Sequence, residues 1–359
     1  MPPDLPGVIS AAEVVQSAEA IAAWQLDDGM IPWFPGGHAD PWNHVEAAMA
    51  LDVAGLHDAA ARGYDWLRSR QRPDGAWHQY YVAEGVSQQK FDANCVAYVA
   101  TGIWHHLKAT ADLAFASEMW PVVDRAIDWV LELQRPRGEI RWARHPDGTP
   151  WSFALLTGSA SIHHSIRCAL ALAERLGHER PDWELAAARL AHVIRSDPDA
   201  FAPKERWAMD WYYPVLCGVI TGDEGRERLA DRYDEFVMAG KGVRCVADRT
   251  WVTTAETAEC TMAHAAVGSH HRALDLLSLT RSMRTDDGHY WTGVVHPQGV
   301  RFPADERTTY SGAAVILAAD ALARSSSTSG VLIDHAALPT LLSVDDDQPT
   351  ATRRSPNPR

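Results

Sequence analysis

Cysteine, positive charge and long apolar runs are what this 359-residue chain has little of, and each shortage removes a class of protein. Five cysteines, an odd number with no Cys-x-x-Cys spacing, provide neither a disulfide framework nor a structural zinc site. Cys95, Cys168, Cys217 and Cys260 lie in apolar stretches and read as buried thiols. Lysine and arginine total 33 against 47 acidic residues, a formal charge of −14, so nucleic acid is not an expected partner. No run of about 18 apolar residues occurs, so no integral membrane segment is expected. Met1-Pro2-Pro3-Asp4-Leu5-Pro6 lacks the charged start and apolar core of a secretion signal, and the expected location is cytoplasmic. Strand-like alternation of useful length is missing too.

Tryptophan is abundant, 15 against 7 phenylalanines, and it recurs in register. Gln71-Arg72-Pro73-Asp74-Gly75-Ala76-Trp77 reads as a helix end, a tight turn and an apolar plug. Gln25 to Ile31, Gln134 to Ile140 and Arg284 to Tyr290 repeat it, with Gly four places and a large apolar residue six places after the first position. Such a repeat signals an array of similar helical units.

Helical periodicity picks out twelve segments: Ser10–Gln25, Pro41–Ala54, Asp58–Gln71, Asp92–Lys108, Leu113–Gln134, Ser159–Leu176, Asp182–Arg195, Asp210–Ile220, Gly225–Met238, Thr254–Val267, His271–Met283 and Thr308–Ala323. Ser10 with Glu13 forms a capping box, and Pro121 is expected to kink or split its helix. Odd members are amphipathic and even members apolar and small, which suits an outer ring around an inner one. The predicted fold is all-α, an α/α toroid of six helical hairpins spanning residues 1–324. Residues 325–359, polar and rich in serine and proline, are expected to form a flexible tail, with Val331-Leu332-Ile333 able to dock as a strap.

In such a toroid the inner helices all begin at one mouth, where acids, amides and rings gather. Asp92, Asp210, Glu256 and Glu306 are the candidate catalytic carboxylates, and Trp42, His44, Asn94, His163, Trp211, Tyr212, Trp251 and Tyr310 the candidate substrate-binding residues. The plainer reading makes Asp92 and Asp210 helix caps, the tryptophans core wedges and His163 a satisfied core histidine. The coincidence at all six inner starts favours a functional pocket. His38, Asp40, His44 and Glu46 lack metal-ligand spacing, so neither metal nor other cofactor is expected.

The stretch Arg62, Gly63, Trp66, Leu67, Gln71, Gly75, Trp77 resembles the QW motif of terpenoid cyclases and protein prenyltransferases, and Arg125, Ala126, Trp129, Val130, Gln134, Gly138 fill all but its last place. The resemblance implies an α/α toroid, a prenyl- or terpenoid-type transferase or cyclase, an isoprenoid substrate, and a structural role for Gln71 and Gln134 in tying a turn to a neighbouring helix. The acidic Asp-x-Asp-Asp of the cyclases has no counterpart outside the tail run Asp345-Asp346-Asp347, and the zinc-binding Asp-x-Cys of the prenyltransferases is absent. The alternative is a six-hairpin glycosidase with a carbohydrate substrate, since tryptophan faces and paired carboxylates are what sugar chemistry uses. A non-catalytic binding toroid is the third reading.

Overall fold

The computed structural model describes residues 1–341, so Asp345-Asp346-Asp347 and the rest of the predicted tail lie outside the described residues. Among them are thirteen α-helices: α1 (Ala11–Ala23), α2 (Pro41–Val53), α3 (His57–Arg70), α4 (Ala93–Thr110), α5 (Leu113–Leu131), α6 (Leu156–Leu176), α7 (Pro181–Ser196), α8 (Ala208–Leu216), α9 (Gly222–Asp231), the one-turn α10 (Tyr233–Phe236), α11 (Thr254–Ala266), α12 (His270–Leu279) and α13 (Thr309–Ala323). The ninth expected helix is broken between α9 and α10. The fifth runs unbroken through Pro121. Ser117, whose carbonyl loses its partner to that proline, sits on the exposed face, where water can replace the bond.

Each inner helix packs on the next, α2 on α4, α4 on α6, α6 on α8, α8 on α11 and α11 on α13, and α13 returns to α2. The ring is closed, an α/α toroid. Small residues permit the approach: a Cβ on Gly102 of α4 would lie 2.5 Å from Val45 Cγ1 of α2. The helices α1, α3, α5, α7, α9 and α12 form the outer layer, each with one buried stripe.

The repeated turn ties this outer layer together. Gln71 Nε2 donates to the Gly75 carbonyl (2.9 Å) and to the Val122 carbonyl of α5 (2.8 Å), while Arg125 donates to Gln71 Oε1. Gln25 does the same towards Ala59 of α3, and Gln134 towards Ala186 of α7. At the last turn the roles reverse: Arg284 donates to Gln16 Oε1 and Gln16 Nε2 to the Asp286 carbonyl, which fastens the turn after α12 to α1.

Residues 325–341, placed in the tail by composition, pack across the end of the barrel opposite the mouth. Val331, Ile333, His335 and Leu338 are buried there. Arg167 of α6 donates to the carbonyls of His335 (2.6 Å), Leu338 and Pro339 (both 3.2 Å). Low complexity made this segment look unstructured, but its few aliphatic side chains and the Arg167 bonds seat it.

Candidate active site

The inner helices begin with residues that reach back over their own first turn. Asp92 caps α4, accepting from the backbone amides of Asn94 (3.0 Å) and Cys95 (3.4 Å), and a two-residue ladder, Phe91–Asp92 against Ala143–Arg144, fixes it from the other side. Asp40 caps α2 in the same way, with Trp33 Nε1 and the Asn43 side chain on its second oxygen. Asp210 stands three residues into the start of α8, where Oδ1 accepts from the Thr157 amide and hydroxyl. Glu256 occupies the corresponding place in α11. It is half-buried, and the Cys245 thiol donates to it.

Between these starts opens a cavity of about 260 Å3. Trp42 of α2, Asp92 and Asn94 of α4, Thr157 and Gly158 of α6, and Met209 and Asp210 of α8 line it, with Trp142, Leu155, Lys204 and Trp207 on its walls and rim. Four of the inner helices therefore deliver side chains to one place. Burial raises the Asp92 carboxyl above its ordinary range against the pull of Lys90, the two amides and the Trp142 indole. Asp210 is raised by burial against its Thr157 bonds. Asp40 and Glu306 are raised by burial as well, the latter against a 3.0 Å bond from Thr292.

No family model matches the chain. The MMP endo-(1,4)-3-O-methyl-alpha-D-mannosidase of Mycolicibacterium hassiacum is 51% identical over 329 residues, 92% of this chain and 91% of that protein. The chain belongs to the family of that glycosidase. Among solved structures, a glycosidase in complex with glucose superposes with a TM-score of 0.68 over 90% of this chain and 98% of that one, at 16% identity. A D-mannose isomerase gives 0.63 over 86% and 96%, at 11% identity. A rhamnosidase from Klebsiella oxytoca with rhamnose bound gives 0.62 over 88% and 64%, at 16%. These likenesses show the toroid.

The mannosidase relative overturns the prenyltransferase and terpenoid-cyclase reading, and with it the isoprenoid substrate, in favour of an enzyme of the glycosidase type. The Gln–Gly turn that suggested the first reading is a fastening between outer helices. A fastening of this kind belongs to the fold rather than to the reaction, so unrelated catalysts can share it. Among the described residues no helix is long and apolar enough to cross a membrane.

Of the twelve expected site residues, the cavity collects Trp42, Asp92, Asn94 and Asp210. Glu256, Glu306 and Tyr310 stand at the neighbouring starts of α11 and α13, where both glutamates and Asp40 bear on the Tyr310 hydroxyl. Tyr310 itself packs edge-on against Trp33, centroids 5.0 Å apart. Trp251 lies on a strand beside α11 and donates to the Phe302 carbonyl (3.0 Å), outside the cavity.

Four residues are elsewhere. His44 faces the outer layer: the Ile31 amide donates to Nδ1 (3.1 Å) and Nε2 meets the Gly63 carbonyl (2.9 Å), so this imidazole is neutral and fully used, and burial lowers its pKa to about 4. Trp211 also turns outward, donating to the Arg228 carbonyl and stacking on Phe236. His163 lies two turns down α6, buried near Arg167 and His335, and burial brings its pKa to about 3. Tyr212 is buried on the barrel axis with its hydroxyl on Glu259. Helical phase sends His44, Trp211 and Tyr212 away from the cavity, because residues one or two positions apart on a helix face different sides, and depth along α6 removes His163.

Beneath the mouth, the axis holds two more carboxyls. Glu46 accepts from Trp42 Nε1 (2.9 Å) and the Tyr98 hydroxyl (3.4 Å), and Glu259 accepts from Tyr212 and Tyr213 (2.9 Å). Burial, and for Glu46 the charge of Glu259, raises both, Glu259 to about 8. A small space of about 20 Å3 lies between them, large enough for one water. Trp142, Leu155, Thr157, Gly158, Lys204, Trp207 and Met209 were absent from the expected site. Trp142 and Trp207 carry one usable signal: each is a tryptophan in a polar loop that leads towards an inner helix.

Proposed function

We propose that the chain is an endo-acting glycoside hydrolase that cleaves (1→4) bonds within 3-O-methylated α-mannose chains. The observation that carries this reading is 51% identity to an endo-mannosidase over nearly the whole length of both proteins. The site supports it chemically. Trp42 and Trp207 offer faces for sugar rings, and Trp207 is 40% exposed at the rim.

Asp210 has the properties of a general acid: a carboxyl raised by burial, with Oδ1 held by Thr157, in a residue that lines the cavity. Its proton goes to the glycosidic oxygen as the C1–O bond breaks. Glu256, at the matching position of the adjacent inner helix, serves as the second carboxyl group, towards C1. The helices that carry them, α8 and α11, pack directly on each other, and paired-carboxylate hydrolysis needs its two carboxyls about 5–10 Å apart. The anomer first released, read by NMR, tells whether Glu256 activates water or attacks C1 itself.

The test is incubation of the purified protein with α-(1→4)-linked 3-O-methylmannose oligosaccharides, with products sized by mass spectrometry. Internal cleavage is expected, and Asp210→Asn and Glu256→Gln are each expected to lower kcat by about 10²–10⁴-fold. Activity within tenfold of wild type in either variant removes that residue from its role.

A further inference from the structure

The cavity wall contains two kinds of surface that ordinary sugar hydroxyls do not require. One is aliphatic. Leu155 at the start of α6 and Met209 in the first turn of α8 form its side, and Gly158 leaves room between them. A Cβ built on Gly158 would meet only Asn94 Cβ and Leu155 Cβ, both at 3.8 Å, so the space beside it is sufficient for about one methyl group. The other is Asn94. It is 3% exposed and lines the same cavity, yet neither its amide nitrogen nor its amide oxygen has a partner. A buried amide left unpaired on both atoms is costly, and it points to a ligand that supplies the missing partners.

We propose that Leu155, Gly158, Met209 and Asn94 form a seat for an O-methyl group of the substrate, and so set its specificity; the proposal rests on the mannosidase reading above. A methyl ether differs from a hydroxyl in two ways. It has an apolar cap, and its oxygen accepts a hydrogen bond but donates none. The aliphatic wall takes the cap. Asn94 Nδ2 donates to the ether oxygen, and Asn94 Oδ1 accepts from a neighbouring sugar hydroxyl. An unmethylated hydroxyl in the same seat would turn its proton towards Leu155 and Met209 and find no acceptor there.

The experiment uses the full chain and two α-(1→4)-linked mannose oligosaccharides of equal length, one 3-O-methylated and one not. The readout is the ratio of their kcat/KM values in wild type, Gly158→Ala and Met209→Gln. Wild type is expected to favour the methylated chain by about tenfold or more, the scale of one apolar group in a shaped pocket. Both variants are expected to lose most of that preference, Gly158→Ala by filling the space and Met209→Gln by placing a polar amide against the methyl. A wild type without preference, or a preference unchanged in both variants, overturns the proposal while leaving the mannosidase reading in place. Cleavage of neither oligosaccharide overturns the mannosidase reading, and the methyl seat with it.

Discussion

Glu46 and Glu259 show how a residue can be forced into a protonation state by its surroundings. Both are held by phenol and indole donors on the barrel axis, and both are buried. A carboxyl whose folded pKa lies above its unfolded value binds its proton more tightly when folded, so stability falls as pH rises from the ordinary glutamate range towards the folded value. For Glu259 that window runs from about 4.5 to about 8. Buried histidines with lowered values, such as His44 and His163, act with the opposite sign at lower pH, so the useful quantity is the melting difference between a variant and wild type. Glu259→Gln is expected to melt below wild type at pH 5, because its amide can accept from only one of Tyr212 and Tyr213. The gap should close or reverse by pH 8.5, where wild type bears the cost of a buried charge. A gap that stays constant from pH 5 to 8.5 would contradict the raised value. At this scale the sequence was a poor guide. Both glutamates stand among the polar residues of the inner helix starts, yet nothing local distinguishes a glutamate aimed at the axis from one aimed at the cavity.

The hairpin turn was legible in advance because it is built from local chemistry. Gly75 has φ of +98°, a conformation that L side chains avoid, and an added Cβ would overlap the Arg125 carbonyl oxygen. Gly138 repeats the pattern, with a Cβ falling 2.6 Å from the Arg189 oxygen. Gly75→Ala is therefore expected to cost about 2–4 kcal/mol of stability, and Gln71→Ala about 1–2 kcal/mol through the two lost side-chain bonds to the Gly75 and Val122 carbonyls. Urea unfolding measures both, and a loss under 0.5 kcal/mol for Gly75→Ala would mean the turn tolerates a side chain. The same turn explains why the resemblance to prenyltransferases and cyclases failed to predict chemistry. Gln71 and Gln134 do tie neighbouring outer helices, as the resemblance implied, but they report on how a toroid is fastened rather than on what its mouth does.

At the level of the whole molecule, the ring closes by α13 against α2 and by Arg284 with Gln16, and residues 325–341 cover the far end. Arg167 reaches three carbonyls of that segment from inside the barrel, so Arg167→Ala is expected to lower the melting temperature by several degrees and to raise proteolysis between residues 325 and 341. Unchanged cleavage in that stretch would show that the buried side chains of Val331, Ile333 and Leu338 hold it alone. What the sequence determined by itself was everything set by period and local cap: the helix pairs, the inner and outer character, the glycine turns, and Asp92 as a cap at the mouth. The tertiary structure decided which side of each inner helix faces the cavity. That choice follows from the ring's closure, since the axis, the cavity and the outer layer are defined only once α13 meets α2. Hence Asp210 and Asn94 line the cavity, while His44 and Trp211, equally polar or aromatic in sequence, are bound to the layer behind.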